Sequence, residues 1–153
     1  MKNATVKPIP EGYHTLTTFI AAAGAAHLID FLKKSFDAKE NSIHKTPDGT
    51  ILHAELLIGD SRLMLSDATT QFPALPAMIY MYTEDVDAVY EKAMAAGGVS
   101  LREPTDEFYG DRSAGIKDPS GNQWWMATHI EDVSPEEMKR REEERSKQQR
   151  QAQ

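Results

Sequence analysis

Two polar side chains, His53 and Glu55, form the clearest chemical pattern in this sequence of 153 residues. They lie two positions apart in a segment that alternates between two faces, and residues two apart on a strand point to the same face of a sheet. An imidazole beside a carboxylate can serve as an acid–base pair, polarise a ligand or contribute to a weak metal site. The alternative interpretation is a hydrogen-bonded structural pair.

Two basic residues extend this candidate site. The turn glycines Gly59 and Gly121 lie 62 residues apart. The same offset carries Glu55 onto Lys117, which predicts that Lys117 lies opposite Glu55. Arg112 begins a predicted strand, where its guanidinium is able to clamp a carboxylate or a phosphate. The alternative for Arg112 is an ion pair that fixes a hairpin, with one of three carboxylates: Asp106, Asp111 or Asp118.

An aromatic and methionine-rich set follows in the second half of the chain. From this set we predict that Tyr80, Tyr109 and Trp125 contact a ligand, because ligand pockets are mostly apolar with a few polar groups. The alternative is that these residues belong to the ordinary hydrophobic core, because strand alternation turns about half of such residues inward. Trp124 and Trp125 are expected to face opposite ways. The set comprises Met64, Met78, Tyr80, Met81, Tyr82, Phe108, Tyr109, Trp124 and Trp125.

The elements that position these side chains repeat once. Each half reads as strand, helix and three strands, and repeats of this size indicate two copies of one structural unit. Helices are predicted from residue 25 and after Thr83, which is the expected cap of the second helix. Residues 104–109 are expected to form a loop. The predicted strands are 13–20, 40–46, 51–58, 61–66, 77–82, 99–102, 112–117 and 123–128, with turns at 47–49 and 118–122.

The domain organisation follows from these elements. Residues 1–12 contain two prolines and a glycine and are expected to form an extended lead-in. Residues 13–132 form a single domain, with unit one at 13–67, a linker at 68–76 and unit two at 77–132. The charged tail, 133–153, begins with a capping box at Ser134 and is expected to be a solvated helix.

Composition excludes several classes of function. The net charge of −7 argues against a general nucleic-acid binder, which needs clustered Lys and Arg. The absence of cysteine excludes disulfides and thiol catalysis. No run approaches the roughly 18 apolar residues of a membrane span, so no membrane association is expected. The expected location is the cytoplasm.

Several segments resemble one known family in the same order. They are AAHLIDFLKKSFDA from Ala25, HAELLIGDSRLMLSD from His53, TEDVDAVYE from Thr83, and FYGDRSAGIKD with PSGNQWWMATHI from Phe108. Residues 13–132 resemble the vicinal oxygen chelate superfamily, which includes glyoxalase I, bleomycin-resistance proteins and extradiol dioxygenases, and within it the PhnB-like branch. The resemblance implies an α+β fold of two paired βαβββ units that form a cup-shaped mixed sheet. It also implies a homodimer.

The resemblance implies metal ligands only in the metal-dependent members, as His, Gln or Glu on the first and last strand of each unit. Thioether and indole groups are poor ligands for a divalent metal. We therefore expect no metal and no other cofactor, although a shift of the alignment by two residues would admit His14. The corresponding positions here are Leu16 or Thr17, Leu63 or Met64, Met78 or Ile79, and Trp125.

Three interpretations of function are open. The first is a PhnB-like protein that binds a small molecule in the cup without a metal. The second is a divalent-metal-dependent lyase, isomerase or dioxygenase, and the third is an interaction protein that acts through its tail. The sequence does not decide whether the protein is an enzyme, because one fold carries many functions.

Overall fold

Unit one is a four-stranded sheet with one helix. The computed structural model describes residues 6–152. The sheet order is β1-β4-β3-β2, in which β1 runs parallel to β4 and the other neighbours are antiparallel. The elements are β1 (Thr18–Ala22), α1 (Ala25–Phe36), β2 (Lys39–Lys45), β3 (Ile51–Ile58) and β4 (Ser61–Asp67).

Unit two repeats this arrangement, with sheet order β5-β8-β7-β6 and the same pattern of parallel and antiparallel neighbours. The predicted α+β fold of two βαβββ units is therefore confirmed. The elements are β5 (Met78–Tyr82), α2 (Val86–Ala95), β6 (Val99–Asp106), β7 (Asp111–Lys117) and β8 (Gln123–His129), followed by α3 (Pro135–Gln151).

The start of α1 is fixed by a single carboxylate. Gly24 adopts a left-handed conformation before the helix, with φ of 80°, which a glycine reaches without strain. Asp67 at the end of β4 accepts a hydrogen bond from the Ala25 amide (2.8 Å) and another from the Ile51 amide (2.7 Å). One side chain thus joins the helix to two strands, and the apolar face of α1 is held on the sheet.

Three boundaries differ from the sequence prediction by more than one residue. The first strand begins at Thr18 rather than residue 13, so Tyr13 lies in the lead-in. The α2 cap is Asp85, whose side chain accepts from the Ala88 amide, and not Thr83. The predicted loop from Pro104 is strand as far as Asp106. β6 tolerates this proline because it is an edge strand with a register shift at that point.

The described residues at the two ends of the chain belong to neither sheet. Residues 1–5 of the predicted lead-in are outside the described residues, and residues 6–12 contain no helix or strand. The tail helix begins as predicted, since Ser134 Oγ accepts from the Glu137 amide. No residue of α3 is buried. None of the helices within residues 6–152 is both long and apolar enough to span a membrane.

The two units meet through their helices. α1 contacts α2, and the Phe36 ring at the end of α1 lies 4.9 Å from the Trp124 ring of β8. Within residues 6–152 no hydrogen-bonded ladder joins the two sheets, and β1 and β5 are both outer edges. The helices therefore cover one face of each sheet. We call the other two surfaces the open face of unit one and the open face of unit two.

Candidate functional site

The open face of unit one carries the pair predicted from the sequence. Ala54 is fully buried beneath α1, so strand alternation turns its neighbours His53 and Glu55 toward the open face. Glu55 pairs with Met64 across β3 and β4, and Met64 pairs with Phe19 across β4 and β1. The Phe19 ring lies 6.1 Å from the His53 ring. A carboxylate is thus surrounded by an imidazole, a thioether and a phenyl ring.

Glu55 is held as an ionised carboxylate. Asn41 donates a hydrogen bond to Oε2 (2.9 Å), and His53 Nε2 lies 3.4 Å from Oε1. The buried Tyr13 hydroxyl lies close to the same carboxylate without forming a hydrogen bond to it. The nearby Tyr13 hydroxyl and the Asn41 amide lower the pKa of Glu55 against the opposing effect of burial. The side chain is therefore negatively charged at neutral pH.

The lead-in covers part of this face and encloses a cavity of about 530 Å³. Arg62 of β4 stacks over the Tyr13 ring, with its guanidinium carbon 5.5 Å from the ring centre, and this contact holds the lead-in on the sheet. Glu55 and Met64 form the strand side of the cavity. The other lining residues come from the lead-in: Pro8, Ile9, Pro10, Tyr13, His14, Thr15 and Thr17.

The open face of unit two is built around Trp125. Trp124 is buried against the core and Trp125 is on the opposite face, as predicted. Gly115 on β7 pairs with Trp125 and leaves room for the indole to lie against the backbone. Arg102 lies over the indole at 5.1 Å and forms an ion pair with Glu107 (2.6 Å). The indole thus lies between the β7 backbone at Gly115 and the guanidinium group of Arg102.

Three tyrosines extend this aromatic surface. The rings of Tyr80 and Tyr82 lie 5.6 Å apart, and Tyr82 donates a hydrogen bond to Asp111 (2.9 Å). Burial, and after it the neighbouring Tyr109 hydroxyl, raises the pKa of Tyr80. The bond to Asp111 raises the pKa of Tyr82. Tyr80 and Tyr82 therefore stay protonated at physiological pH. The hydroxyl proton of Tyr82 is already donated to Asp111, so the Tyr80 hydroxyl is the one able to donate a hydrogen bond to a ligand.

Asp111 is the buried polar centre of this cluster. It is 3% exposed, yet it accepts from Tyr82 on one oxygen and contacts His129 Nδ1 on the other (2.7 Å). His129 Nε2 in turn lies 2.8 Å from Asp132. The hydrogen bonds to Asp132 and Asp111 raise the pKa of His129. His129 therefore lies between two carboxylates behind the tyrosines, and both contacts favour its protonated form.

The structure places six of the seven predicted ligand-binding residues in three groups. His53 and Glu55 lie on the open face of unit one, and Tyr80, Tyr109 and Trp125 belong to the aromatic surface of unit two. Arg112 lies on the helix-covered side, where it binds Asp87 of α2 in a bidentate pair (2.7 and 2.8 Å) and Asp106 through a third bond. Arg112 therefore forms ion pairs, which was the alternative interpretation of this residue. Asp106 was among the expected partners and Asp87 was not.

The expected juxtaposition of Lys117 and Glu55 is wrong. Lys117 is an exposed residue of β7 that pairs with Val99 and Gln123 inside unit two. The structural equivalent of Glu55 is Gly115, because Glu55 pairs with Met64 as Gly115 pairs with Trp125.

The turn glycines misled the alignment because the turn of unit two is one residue longer. Ile20 pairs with Leu65 and Met81 pairs with Met126, all facing the helices, so equivalent residues on these strands lie 61 positions apart. An error of one residue places a side chain on the opposite face of a sheet. With the correct offset, Phe19 corresponds to Tyr80.

The positions that carry metal ligands in metal-dependent relatives do not fit a metal here. Met64 and Trp125 occupy equivalent places on the two open faces, and neither is a suitable donor for a divalent cation. No group of three or more His, Asp or Glu side chains suited to metal binding occurs within residues 6–152. The donor set therefore gives no support to metal chemistry at the open faces.

A second, larger cavity of about 800 Å³ lies between the units, and Tyr80 and Tyr82 are among the residues that line it. Its walls include Ile79 and Trp124 from unit two, and Leu63 and Lys39 from unit one. Its charged lining residues are of both signs and come from separate elements. This cavity lacks the convergent polar groups of the open faces, so the candidate site is placed on those faces.

Several residues of the site were not predicted as ligand contacts, among them Tyr13, Asn41, Arg102 and Asp111. Each acts through a partner that is distant in sequence or on another strand, such as Tyr13 beside Glu55 and Arg102 over Trp125. Local periodicity gives no information about such contacts. The sequence did hold one signal for this cluster. Tyr82 lies two positions after Tyr80, so both rings are on the same face of β5, where Tyr82 reaches Asp111.

Comparison with known protein families identifies one family for this chain. A family model described as "Glyoxalase/Bleomycin resistance protein/Dioxygenase superfamily" matches residues 14–126. An uncharacterised protein of Mycobacterium bovis is 31% identical over 134 residues, which cover 80% of this chain and 88% of that protein. A Mycobacterium tuberculosis protein is also 31% identical over 134 residues, covering 80% of this chain and 79% of the relative.

Solved structures show the same fold. TioX from Micromonospora sp. ML1 matches with a TM-score of 0.67 at 20% identity, over 77% of this chain and 100% of that one. A PhnB protein from Bacillus cereus gives 0.61 at 22% identity, over 75% and 99%. TnmS3, an antibiotic-binding protein from Streptomyces sp. CB03234, gives 0.62 at 19% identity, over 76% and 96%. At these identities the likeness shows the fold and no more.

Proposed function

We propose a small-molecule-binding function for this chain, which belongs to the glyoxalase/bleomycin resistance protein/dioxygenase superfamily. The ligand is bound in a cup formed by the open faces, without a metal. One observation carries the proposal: the open face of unit two exposes an aromatic surface. Tyr80 and Tyr82 are 48% and 65% exposed beside Trp125, with neutral hydroxyls at their tips. Soluble proteins rarely expose such a surface unless it contacts another molecule.

The proposal includes a homodimer that completes the cup. Within one chain the helices lie between the units, so each open face is only one wall. The edge strands β1 and β5 both carry unpaired backbone groups, which favour pairing with another strand. Pairing β1 of one subunit with β5 of a second would join the face bearing Glu55 to the face bearing Trp125.

The antibiotic-binding relative supports this class of function. TnmS3 shares the fold, and its described role is to bind an antibiotic. The open faces here have the composition expected of a site for an organic ligand, with aromatic and thioether walls and few polar groups. The metal-dependent alternative lacks a ligand set, since Met64 and Trp125 occupy the equivalent positions.

A dye titration tests the binding proposal. Nile red is a neutral planar dye whose fluorescence rises in an apolar site. We expect a saturable rise with the wild-type protein and about fivefold weaker binding to Trp125→Leu, since stacking on an aromatic ring is worth about 1 kcal/mol. The matched control is Phe72→Leu, which removes an exposed ring from the linker between the units. Equal affinity of the two variants, or no saturable binding, contradicts the proposal.

Light scattering after size exclusion tests the dimer. The expected mass is twice the 17.1 kDa of one chain. Tyr80→Glu places a charge on the edge strand β5 and should shift the protein toward the monomer, whereas Glu91→Lys on the exposed side of α2 should not. If the wild-type protein elutes as a monomer at every concentration, the proposal that two subunits complete the cup is contradicted.

A further inference from the structure

We propose that the cavity between the lead-in and the open face of unit one binds the ammonium end of a small organic cation, with Glu55 as its counter-ion. This inference rests on the proposed small-molecule binding and adds the charge class of the ligand. It also assigns the two walls different tasks. The aromatic surface of unit two contacts the apolar body of the ligand, while Glu55 contacts its charged group.

The lining of the cavity carries one fixed charge. Among the described residues that line it, Glu55 is the only carboxylate, and there is no lysine or arginine. His14 and Tyr13 are the other titratable side chains there. The guanidinium of Arg62 is stacked over the Tyr13 ring and is not part of the lining. The cavity is therefore electrostatically suited to a cation and opposed to an anion.

Glu55 has no permanently charged partner. Its side chain is only 20% exposed, and within residues 6–152 the single basic group within 4.0 Å is His53, at 3.4 Å. That distance is longer than a charge-assisted N–H···O bond of about 2.7–2.9 Å. Largely buried carboxylates are usually paired with a cation, because isolation from water is costly. The missing partner is what a ligand ammonium would supply.

The carboxylate also has acceptor sites to offer. An ionised carboxylate accepts at about four positions, and only Asn41 occupies one at full hydrogen-bond strength, on Oε2. The approach of the Tyr13 hydroxyl lowers the pKa of Glu55, so the negative charge is present at neutral pH. An ammonium group that carries two or three N–H donors is able to use the remaining positions on Oε1.

The other walls suit the carbon atoms of such a ligand. Tyr13 presents a ring, Met64 a polarisable thioether, and Pro8, Ile9 and Pro10 an apolar roof. Ring faces and sulfur atoms are favourable neighbours for alkylammonium groups. The cavity of about 530 Å³ falls within the range of small-molecule sites, roughly 300–1,000 Å³.

Three probes that share one ring separate charge from shape. Tyramine carries an ammonium group, 4-ethylphenol is neutral, and 3-(4-hydroxyphenyl)propionate is an anion of similar length. Binding is measured by ligand-detected NMR titration on the full chain. We expect tyramine to bind the wild type about tenfold more tightly than 4-ethylphenol, and the anion to bind most weakly.

Two glutamate variants make the test specific. Glu55→Gln keeps the shape of the side chain and removes its charge, so it should abolish the preference for tyramine. Glu91→Gln removes the same charge from the exposed surface of α2 and should leave that preference unchanged. Thermal unfolding of each variant verifies that it is folded.

The outcomes distinguish this inference from the proposed function. Equal binding of the three probes, a preference for tyramine that survives in Glu55→Gln, or no binding of tyramine at millimolar concentration overturns the cation site. None of these results changes the Nile red titration, which reports on Trp125. Loss of Nile red binding with an intact, Glu55-dependent preference for tyramine would instead overturn the aromatic wall and leave the cation site in place.

Discussion

The indole of Trp125 occupies the space that a side chain on Gly115 would fill. A Cβ atom built on Gly115 would lie 2.7 Å from Cζ3 of Trp125, well inside van der Waals contact. The two residues face each other across β7 and β8, and Arg102 covers the other side of the ring. The orientation of the aromatic wall thus depends on the absence of one methyl group.

Gly115→Ala should therefore displace Trp125. We expect a loss of about 1–3 kcal/mol in the free energy of unfolding, the usual cost of overpacking, together with a change in tryptophan fluorescence and weaker Nile red binding. The double variant Gly115→Ala/Trp125→Leu relieves the contact, so its loss should be smaller than the sum of the two single losses. Urea denaturation measures all three variants, and additive losses would contradict the contact.

The turn between β7 and β8 depends on Asp118. This residue is 4% exposed and accepts four hydrogen bonds, including one from the buried Trp124 indole N–H (2.8 Å) and one from Asn122 Nδ2 (2.9 Å). Asp118→Ala should cost about 1–3 kcal/mol for each buried donor left unpaired. Asp48→Ala, in the exposed turn before β3, is the control and should cost much less. Similar losses in urea would refute this role.

Arg141 anchors the tail helix beside the aromatic wall. It donates to the Phe108 carbonyl (3.0 Å) and binds Glu131 with two further bonds, while Arg145 stacks on the Phe108 ring. Arg141→Ala should accelerate amide hydrogen exchange in residues 107–110, which carry Tyr109. Arg140→Ala is matched in type and position, but among the described residues the Arg140 side chain hydrogen-bonds only to Glu137 and Glu144 of the same helix. It should leave exchange in that loop unchanged.

The tail also bears on the interaction-protein alternative. If truncation after Asp132 alters only the exchange of residues 107–110 and the binding of Nile red, α3 acts within the chain. Unchanged exchange in both the truncated protein and Arg141→Ala would show that the anchor has no influence on the loop. Mass spectrometry of pepsin fragments measures each case.

His129 should make stability depend on pH. Its pKa is raised above 6.5 by Asp132 and Asp111, so the folded state binds the proton more tightly than the unfolded state does. The stabilisation is complete below pH 6.5 and is lost as the pH rises through the raised value. The difference in unfolding free energy between wild type and His129→Asn should therefore shrink from mildly acidic to mildly alkaline pH.

The control for this pH effect is His27→Asn, which removes an exposed histidine from α1. Its difference from the wild type should vary less across the same range. A His129→Asn difference that stays constant or grows with pH would show that the bridge between Asp111 and Asp132 does not stabilise the fold through its charge.

The sequence by itself determined the order of the elements and the local orientation of several side chains. Period-two alternation placed Trp124 and Trp125 on opposite faces and kept His53 and Glu55 together, because both properties depend only on neighbours along one strand. The capping box at Ser134 was equally local.

Only the tertiary structure decided which elements meet and in what register. Gly115, and not Lys117 two positions later, is the equivalent of Glu55, because the pairing of β7 with β8 and not the position of a turn glycine sets the register. Arg112 turned to Asp87 on α2, and Tyr13 folded back over Glu55. Such contacts join residues far apart in the chain, so their geometry follows from how the sheets and helices pack and is absent from any local pattern.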